Sequence, residues 1–183
     1  MRRAARRPAA RPIAAPAPGT LEPRTWQGIT YRPCQAGASG VRALFSYAGA
    51  FAPALEPREL AWEAEAGDRL VGGVLAERRG TAAMVHGPVV VEPPGGTEPL
   101  DVADHLVAAL ITEGEAVGLD TLYARPQGLD RIWVRSGFVP VPETLLPDDL
   151  RGRPGSGLHA WRRPGSYTVA LSNPEAGRLR GRG

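Results

Sequence analysis

The sequence predicts an α+β domain built on one mixed β-sheet with helices packed against it, and three observations carry that prediction. Apolar or alternating runs at 60–65, 70–76 and 82–91 follow one another across two tight turns, Gly67-Asp68 and Arg79-Gly80, the pattern of an antiparallel meander. A helix-period run comes next, with Val102, Leu106, Leu110 and Ile111 on one face and Asp104, His105 and Glu113 off it. Residues 121–124 (TLYA) then read as a short buried strand, which a helical crossover places parallel to a neighbour.

The remaining elements fit around this centre. Residues 28–33 (GITYRP) form a short strand by their β-branched and aromatic content. Ser39 caps a helix that carries Val41, Leu44, Phe45 and Tyr47. Pro53 and Pro57 bracket a turn or a short second helix. The long helix starts at or near Asp101, with Glu98, Asp101 and Asp104 clustered where the helix dipole favours them, and ends at Gly118. Residues 128–136 form another helix with Leu129, Ile132 and Trp133 inward, closed by Gly137. A strand at 138–141, a Pro/Gly-rich excursion over 142–157 (a lid, an interface or only a loop), and a last strand or hairpin at 158–161 and 167–171 complete the order.

Composition narrows the function classes. The chain has 183 residues, enough for one domain with a sizeable core, and no apolar run approaches the roughly 18 residues of a membrane span. All basic residues are Arg. With so much Ala, Gly and Pro, this reads as coding bias, so Arg counts are discounted. One cysteine, Cys34, excludes an intramolecular disulfide, and His86, His105 and His159 lack metal-ligand spacing, so no metal site is expected.

The formal charge of +3 belongs to the ends. Residues 1–24 hold six Arg against Glu22, and residues 172–183 hold three Arg against Glu175. The body keeps 13 Arg against 17 acidic residues, a net −4, where a nucleic-acid-binding domain should carry its positive charge. Nucleic acid is therefore not an expected partner, nor is a membrane. Residues 1–24, without apolar periodicity and rich in Arg, Pro and Ala, are expected to be a disordered tail, as are residues 173–183, leaving 25–172 as the domain. A transit peptide would need more Ser and a helix that these prolines forbid; no hydrophobic segment follows the paired arginines, and the expected location is cytoplasmic.

The stretch from Thr81 to Leu110 is where chemistry is expected. An apolar strand, a glycine-bearing loop and a helix start together offer backbone N–H groups to an anion. Gly95-Gly96 has two readings, a phosphate contact and the ordinary turn that Pro-Pro-Gly-Gly also makes.

The order of elements, with HGPVVVEP at 86–93, LDTLYARP at 119–126 and RIWVRSGF at 131–138, resembles the GNAT superfamily of acyl-CoA N-acyltransferases over about residues 28–171. Four features carry the resemblance: the ITYRPC strand before a helix, the GDRLVGG hairpin, the GPVV-P strand leading to a loop and a Leu/Ala-rich helix, and the helix that closes on Gly137-Phe138. It implies a mixed central sheet flanked by helices and acetyl-CoA as cosubstrate. It also implies an amine of a small molecule or peptide as acceptor, direct attack without a covalent enzyme intermediate, and frequent homodimers. By position it implies that pantetheine amides lie along the main chain of Val89, Val90 and Val91, and that the pyrophosphate sits on Gly95, Gly96, Thr97 and the following helix start.

Two departures from the family pattern stand in this sequence. The loop normally reads Arg/Gln-x-x-Gly-x-Gly/Ala, whereas Pro93-Pro94-Gly95-Gly96-Thr97-Glu98-Pro99 has no Arg and Pro99 removes a donor. The position of the usual proton-donating Tyr holds Trp133, whose indole N–H is no acid near neutral pH. A GNAT-fold binding or regulatory module without catalysis is the alternative these departures support.

Candidate catalytic residues are His86, Glu65 and Tyr123. His86 is read as a base facing the cleft or as a hydrogen-bonded structural histidine. Glu65, with Glu63, is read as a base acting directly or through water, or as part of a solvated face. Tyr123 is the one nearby phenol. Cys34 reads as a small buried hydrophobe, since no His is paired with it, and Arg162-Arg163 as a hairpin tip.

Overall fold

The computed structural model describes residues 21–34, 39–54, 59–93, 95–128 and 130–165. Among these, eight strands build one sheet: β1 (Arg24–Trp26), β2 (Ile29–Pro33), β3 (Leu60–Ala66), β4 (Arg69–Arg79), β5 (Ala82–Val90), β6 (Thr121–Ala124), β7 (Val139–Pro140) and β8 (His159–Arg162). The helices are α1 (Ser39–Tyr47), α2 (Pro99–Ala116) and α3 (Asp130–Arg135). The strand order is β1-β2-β3-β4-β5-β6-β8-β7, and the pair β5–β6 is parallel while its neighbours are antiparallel. This is the mixed sheet that the meander and the helical crossover predict.

The differences from expectation are local. β1 was not foreseen: three polar or half-buried residues carry no period, and the strand exists because Gln27 and Gly28 turn the chain at positive φ onto β2. α2 starts two residues early because Pro99 suits the first helical position. α3 is shorter than the expected 128–136, and the excursion after β7 contains two 3-10 turns, Glu143–Leu145 and Asp148–Leu150. The expectations for residues 167–171, 55–58, Leu129 and both tails (most of 1–24, all of 173–183) lie outside the described residues.

Alternation along the strands sorts side chains between two faces. Leu60, Trp62 and Ala64 of β3, Ala83 and Val85 of β5, and Leu122 and Ala124 of β6 meet Val102, Leu106 and Leu110 of α2 and Ile132 and Trp133 of α3 in the largest cluster. On the opposite face Ala61, Leu75 and Val89 pack under Val41, Leu44 and Phe45 of α1. Beside them Met84 and Tyr123 pack under Leu146, Leu150 and Leu158. The excursion is therefore a strap over the sheet, and its leucines are part of the core.

Candidate active site

The site begins with the parting of two parallel strands. β5 pairs with β6 only from Ala82↔Thr121 to Val85↔Ala124. On its other edge β5 stays with β4, where Leu75 pairs with His86 and Gly73 with Val89. Two steps along β4 thus match three along β5, so Gly87-Pro88 is a bulge, which bends β5 away from β6. The peptide between them is cis. Gly87 has φ +86°, and a Cβ there would stand 2.8 Å from Phe45 Cζ and 3.0 Å from the Val89 nitrogen, so no other residue fits without displacing the ring beneath it. Beyond the bulge lies a cleft of about 290 Å³, bounded by Ala48–Ala50 on one side, Gly87–Val90 along β5, and Pro99, Gln127 and Gly128 across it.

The ladder decides which main-chain groups face this cleft. Val91 N–H donates to the Val71 carbonyl at 2.8 Å, and Val89 pairs with Gly73. Alternation in an antiparallel pair then turns the N–H and C=O of Val90 away from β4 and toward the cleft. Of the three valines implied as a platform, Val90 offers both groups outward, whereas Val89 and Val91 use theirs within the sheet. Pro88 has no N–H to offer.

After the strand, Glu92, Gly95 and Gly96 turn the chain at positive φ, and Gly95 and Gly96 are exposed, with open space where a Cβ would stand. With Thr97 they face the Gln27-Gly28 turn across an open groove of about 570 Å³. At the start of α2 the N–H groups of Asp101 and Val102 both turn back to the Glu98 carbonyl. The crowding of acids there is partly relieved, since Asp104 pairs with Arg135 at 2.6 Å. A cation also stands beside the loop: Arg69 at the start of β4, 55% exposed, donates to the Glu92 carbonyl at 2.6 Å and lies 3.8 Å from its carboxylate.

Under the bulge, on the α1 face, is a buried charge cluster. Glu77 is 2% exposed and His86 3%. Glu77 Oε2 accepts from Arg153 Nε at 2.8 Å and faces His86 Nε2 at 3.3 Å. Its Oε1 accepts from Arg79 Nη2 at 2.8 Å and from Arg153 Nη2. Arg79 also reaches Glu59 at 3.0 Å and Asp149 at 3.9 Å. The Arg153 guanidinium in particular holds the Glu77 carboxyl below its ordinary range, despite burial. Burial pushes His86 down to about 4, so at neutral pH its imidazole is uncharged. The Phe51 ring lies 5.6 Å from the His86 ring.

Of the catalytic candidates, His86 alone lies next to the bulge. Tyr123, on the same face of β6, donates its hydroxyl to the Leu145 carbonyl at 2.7 Å, and burial raises its pKa. Glu65 is two strands from β5, where Arg32 bridges Glu63 and Glu65 at 2.7 Å each. The structure does not bring these three together. Trp133 is buried edge-on against Phe138 at 5.0 Å, and its Nε1 has no hydrogen-bond partner among the described residues. Burial raises the Cys34 thiol to about 12, which leaves it protonated and inert. No group of His, Cys, Asp and Glu among the described residues is arranged to hold a metal ion, and no helix among them is long and apolar enough to cross a membrane.

Sequence reasoning missed Glu77, Arg79, Arg153 and Arg69. Glu77 had a signal, since it shares the inward parity of Leu75 on β4 in an otherwise apolar run. Arg153 had none, because only the path of the strap brings it to Glu77.

No family model matches the chain, and no curated protein matches it by sequence. Solved structures do match in shape. An acetyltransferase from Streptococcus agalactiae 2603 superimposes with a TM-score of 0.56 at 11% identity, over 75% of this chain and 100% of that one. A GNAT-family protein from Desulfovibrio desulfuricans gives 0.52 at 12%, over 73% and 98%. N-acetylglutamate synthase from Neisseria gonorrhoeae, complexed with coenzyme A and N-acetyl-glutamate, gives 0.55 at 15%. There the match covers 72% of this chain, which spans about a third of that protein (35%). At such identities the likeness concerns architecture: the chain has the mixed α+β fold of the GNAT acetyltransferases.

Proposed function

We propose that this GNAT-fold chain transfers an acyl group, most simply acetyl, from acyl-CoA to the amine of a small molecule or peptide. The observation that carries the reading is the parting of β5 from β6 at the Gly87-Pro88 bulge, which opens a cleft with the Val90 N–H and C=O on its wall. An extended chain of amides lies along such an edge as an added strand does, by main-chain hydrogen bonds. Beyond it Gly95 and Gly96 are exposed, with open space about them, and Arg69 supports the reading by bringing to the loop a cation its own residues lack.

Coenzyme A, when bound, supplies the acyl group as a thioester. The chain's own part is to align it on Val90, to neutralise its phosphates near Arg69, and to take the proton that the attacking amine loses as the N–C bond forms, returning it to the thiolate that departs when the C–S bond breaks. His86 suits the last task, being neutral at pH 7 and adjacent to the bulge. The body's net negative charge favours cationic acceptors. The second reading, a binding module without catalysis, is favoured by Trp133 and by Pro99 at the helix start.

Calorimetry of the full chain with acetyl-CoA, followed by thiol release over a panel of amines, tests the proposal. Micromolar binding with amine-dependent release supports transfer. Binding without release for any amine favours the module, and no binding at millimolar coenzyme removes the transferase reading and leaves the fold as a scaffold for protein partners.

A further inference from the structure

We propose that Arg153, carried by the strap between β7 and β8, is a positioning residue for this transfer: through Glu77 it fixes His86 as the tautomer protonated on Nε2 and leaves Nδ1 to accept the amine's proton. The inference rests on the transferase reading and adds to it the residue that sets the base.

The argument is one of donors and acceptors. Arg153 grips Glu77 with a fork, Nε on Oε2 and Nη2 on Oε1, and Arg79 adds a further donor to Oε1. A guanidinium does not lose its proton in a protein, so Glu77 in this grip is an ionised carboxylate. Such a carboxylate only accepts. The contact between Oε2 and His86 Nε2 at 3.3 Å is therefore an N–H of the imidazole donating to the carboxylate. In the neutral ring the other nitrogen, Nδ1, then carries the lone pair. Were Glu77 protonated, its hydroxyl could donate to Nε2, and the tautomer would reverse.

The fork also keeps the strap on the sheet. Arg153 Nη1 donates to the Arg151 carbonyl at 2.9 Å and Nη2 to the Asp149 carbonyl at 3.2 Å, so the guanidinium is shaped by the strap's own backbone. Leu146 and Leu150, both buried, anchor that backbone against Met84 and Tyr123. The charged groups around His86 are Glu77 and Arg79 of β4, Glu59 before β3, and Arg153 and Asp149 of the strap. Phe51, after α1, adds no charge. Asp149 acts on His86 through Arg79 and Arg153, which leaves Glu77 and Arg153 as the groups that set the ring.

The test uses the full chain and its three histidines, with His86 assigned by H86Q. Long-range ¹H–¹⁵N spectra at pH 7 should show a neutral His86 protonated on Nε2. R153M should raise the His86 titration midpoint by one pH unit or more, mix its tautomers, and lower kcat/KM for amine acetylation about tenfold with KM for acetyl-CoA little changed. R153K keeps the charge without the fork and should fall between, and it carries the test if R153M does not fold. A wild-type His86 protonated on Nδ1, or a spectrum indifferent to Arg153, overturns the inference even if acyl transfer is found. The expected spectra with no transfer to any amine instead overturn the transferase reading and leave the Arg153–Glu77–His86 coupling standing.

Discussion

The Tyr123 hydroxyl donates to the Leu145 carbonyl at 2.7 Å, a bond that ties β6 to the strap at the edge of the buried cluster of Met84, Leu146, Leu150 and Leu158. This phenol thus has a structural partner. Y123F should leave the Leu145 carbonyl unsatisfied and cost about 1 kcal/mol, read as a lower urea midpoint at constant m. Acetylation per folded molecule should change less than threefold. A loss of a hundredfold at unchanged stability would assign the hydroxyl to proton transfer instead.

The two neighbouring valines make opposite demands of a proline. V90P removes an N–H that faces the cleft, whereas V91P removes the one that donates to Val71 at 2.8 Å. V91P should therefore lose more stability, by about 1 kcal/mol or more. V90P should weaken acetyl-CoA about tenfold by calorimetry. Equal losses of stability in the two variants would mean that Val90 does not turn its N–H to the cleft.

Arg69 stands beside a loop with no cation of its own. R69A should weaken acetyl-CoA about fivefold, the order expected for one exposed charge on a phosphate. The loss should shrink at high salt and be absent for acetyl-pantetheine, which lacks the phosphates. Equal weakening of both ligands would place Arg69 elsewhere in the site, or make its effect one of loop shape.

Acid should destabilise the fold through His86 before it reaches most carboxylates. The folded midpoint is pushed from 6.5 down to about 4, by burial first. Between those values the unfolded chain binds a proton that the folded chain does not, so stability falls as the pH falls across this window and His86 adds no further loss below it. The shift corresponds to about 3 kcal/mol. Glu77, held below its ordinary range, adds a loss at lower pH, while Glu59, raised by burial, works in the opposite direction. Urea unfolding at pH 7 and pH 4.5 should show a larger drop for the wild type than for H86Q. An equal drop would mean that His86 is not buried neutral.

How much of this was legible in the sequence follows from which forces are local. The meander is written in the alternation of 60–65, 70–76 and 82–91 and in turns that only a few residue types make, so β3, β4 and β5 fall where they are predicted. The period of Val102, Leu106 and Leu110 places α2 on one face of the sheet. β1 was silent because a three-residue edge strand has no period, and its pairing comes from the Gln27-Gly28 turn. The position of the strap was silent too. Prolines and glycines over 142–157 say that the chain wanders, but Leu146 and Leu150 had no partners until Met84 and Tyr123 faced them.

The site divides in the same way. His86 could be singled out because a histidine stands in an otherwise apolar strand, and the loop at 93–99 because its glycines and prolines forbid regular structure. What the amino-acid sequence determined by itself is therefore the order of the elements from β2 onward and the net negative charge of the body against its basic ends. Only the tertiary structure decided that Val90 rather than its neighbours turns its main chain to the cleft, because ladder phase depends on the partner strand. It alone decided that Arg153, 76 residues from Glu77 in the chain, closes the charge cluster around His86. Burying a carboxylate demands cations at hydrogen-bond distance, and which cation arrives is set by the path of the strap, not by any local preference of the residues in it.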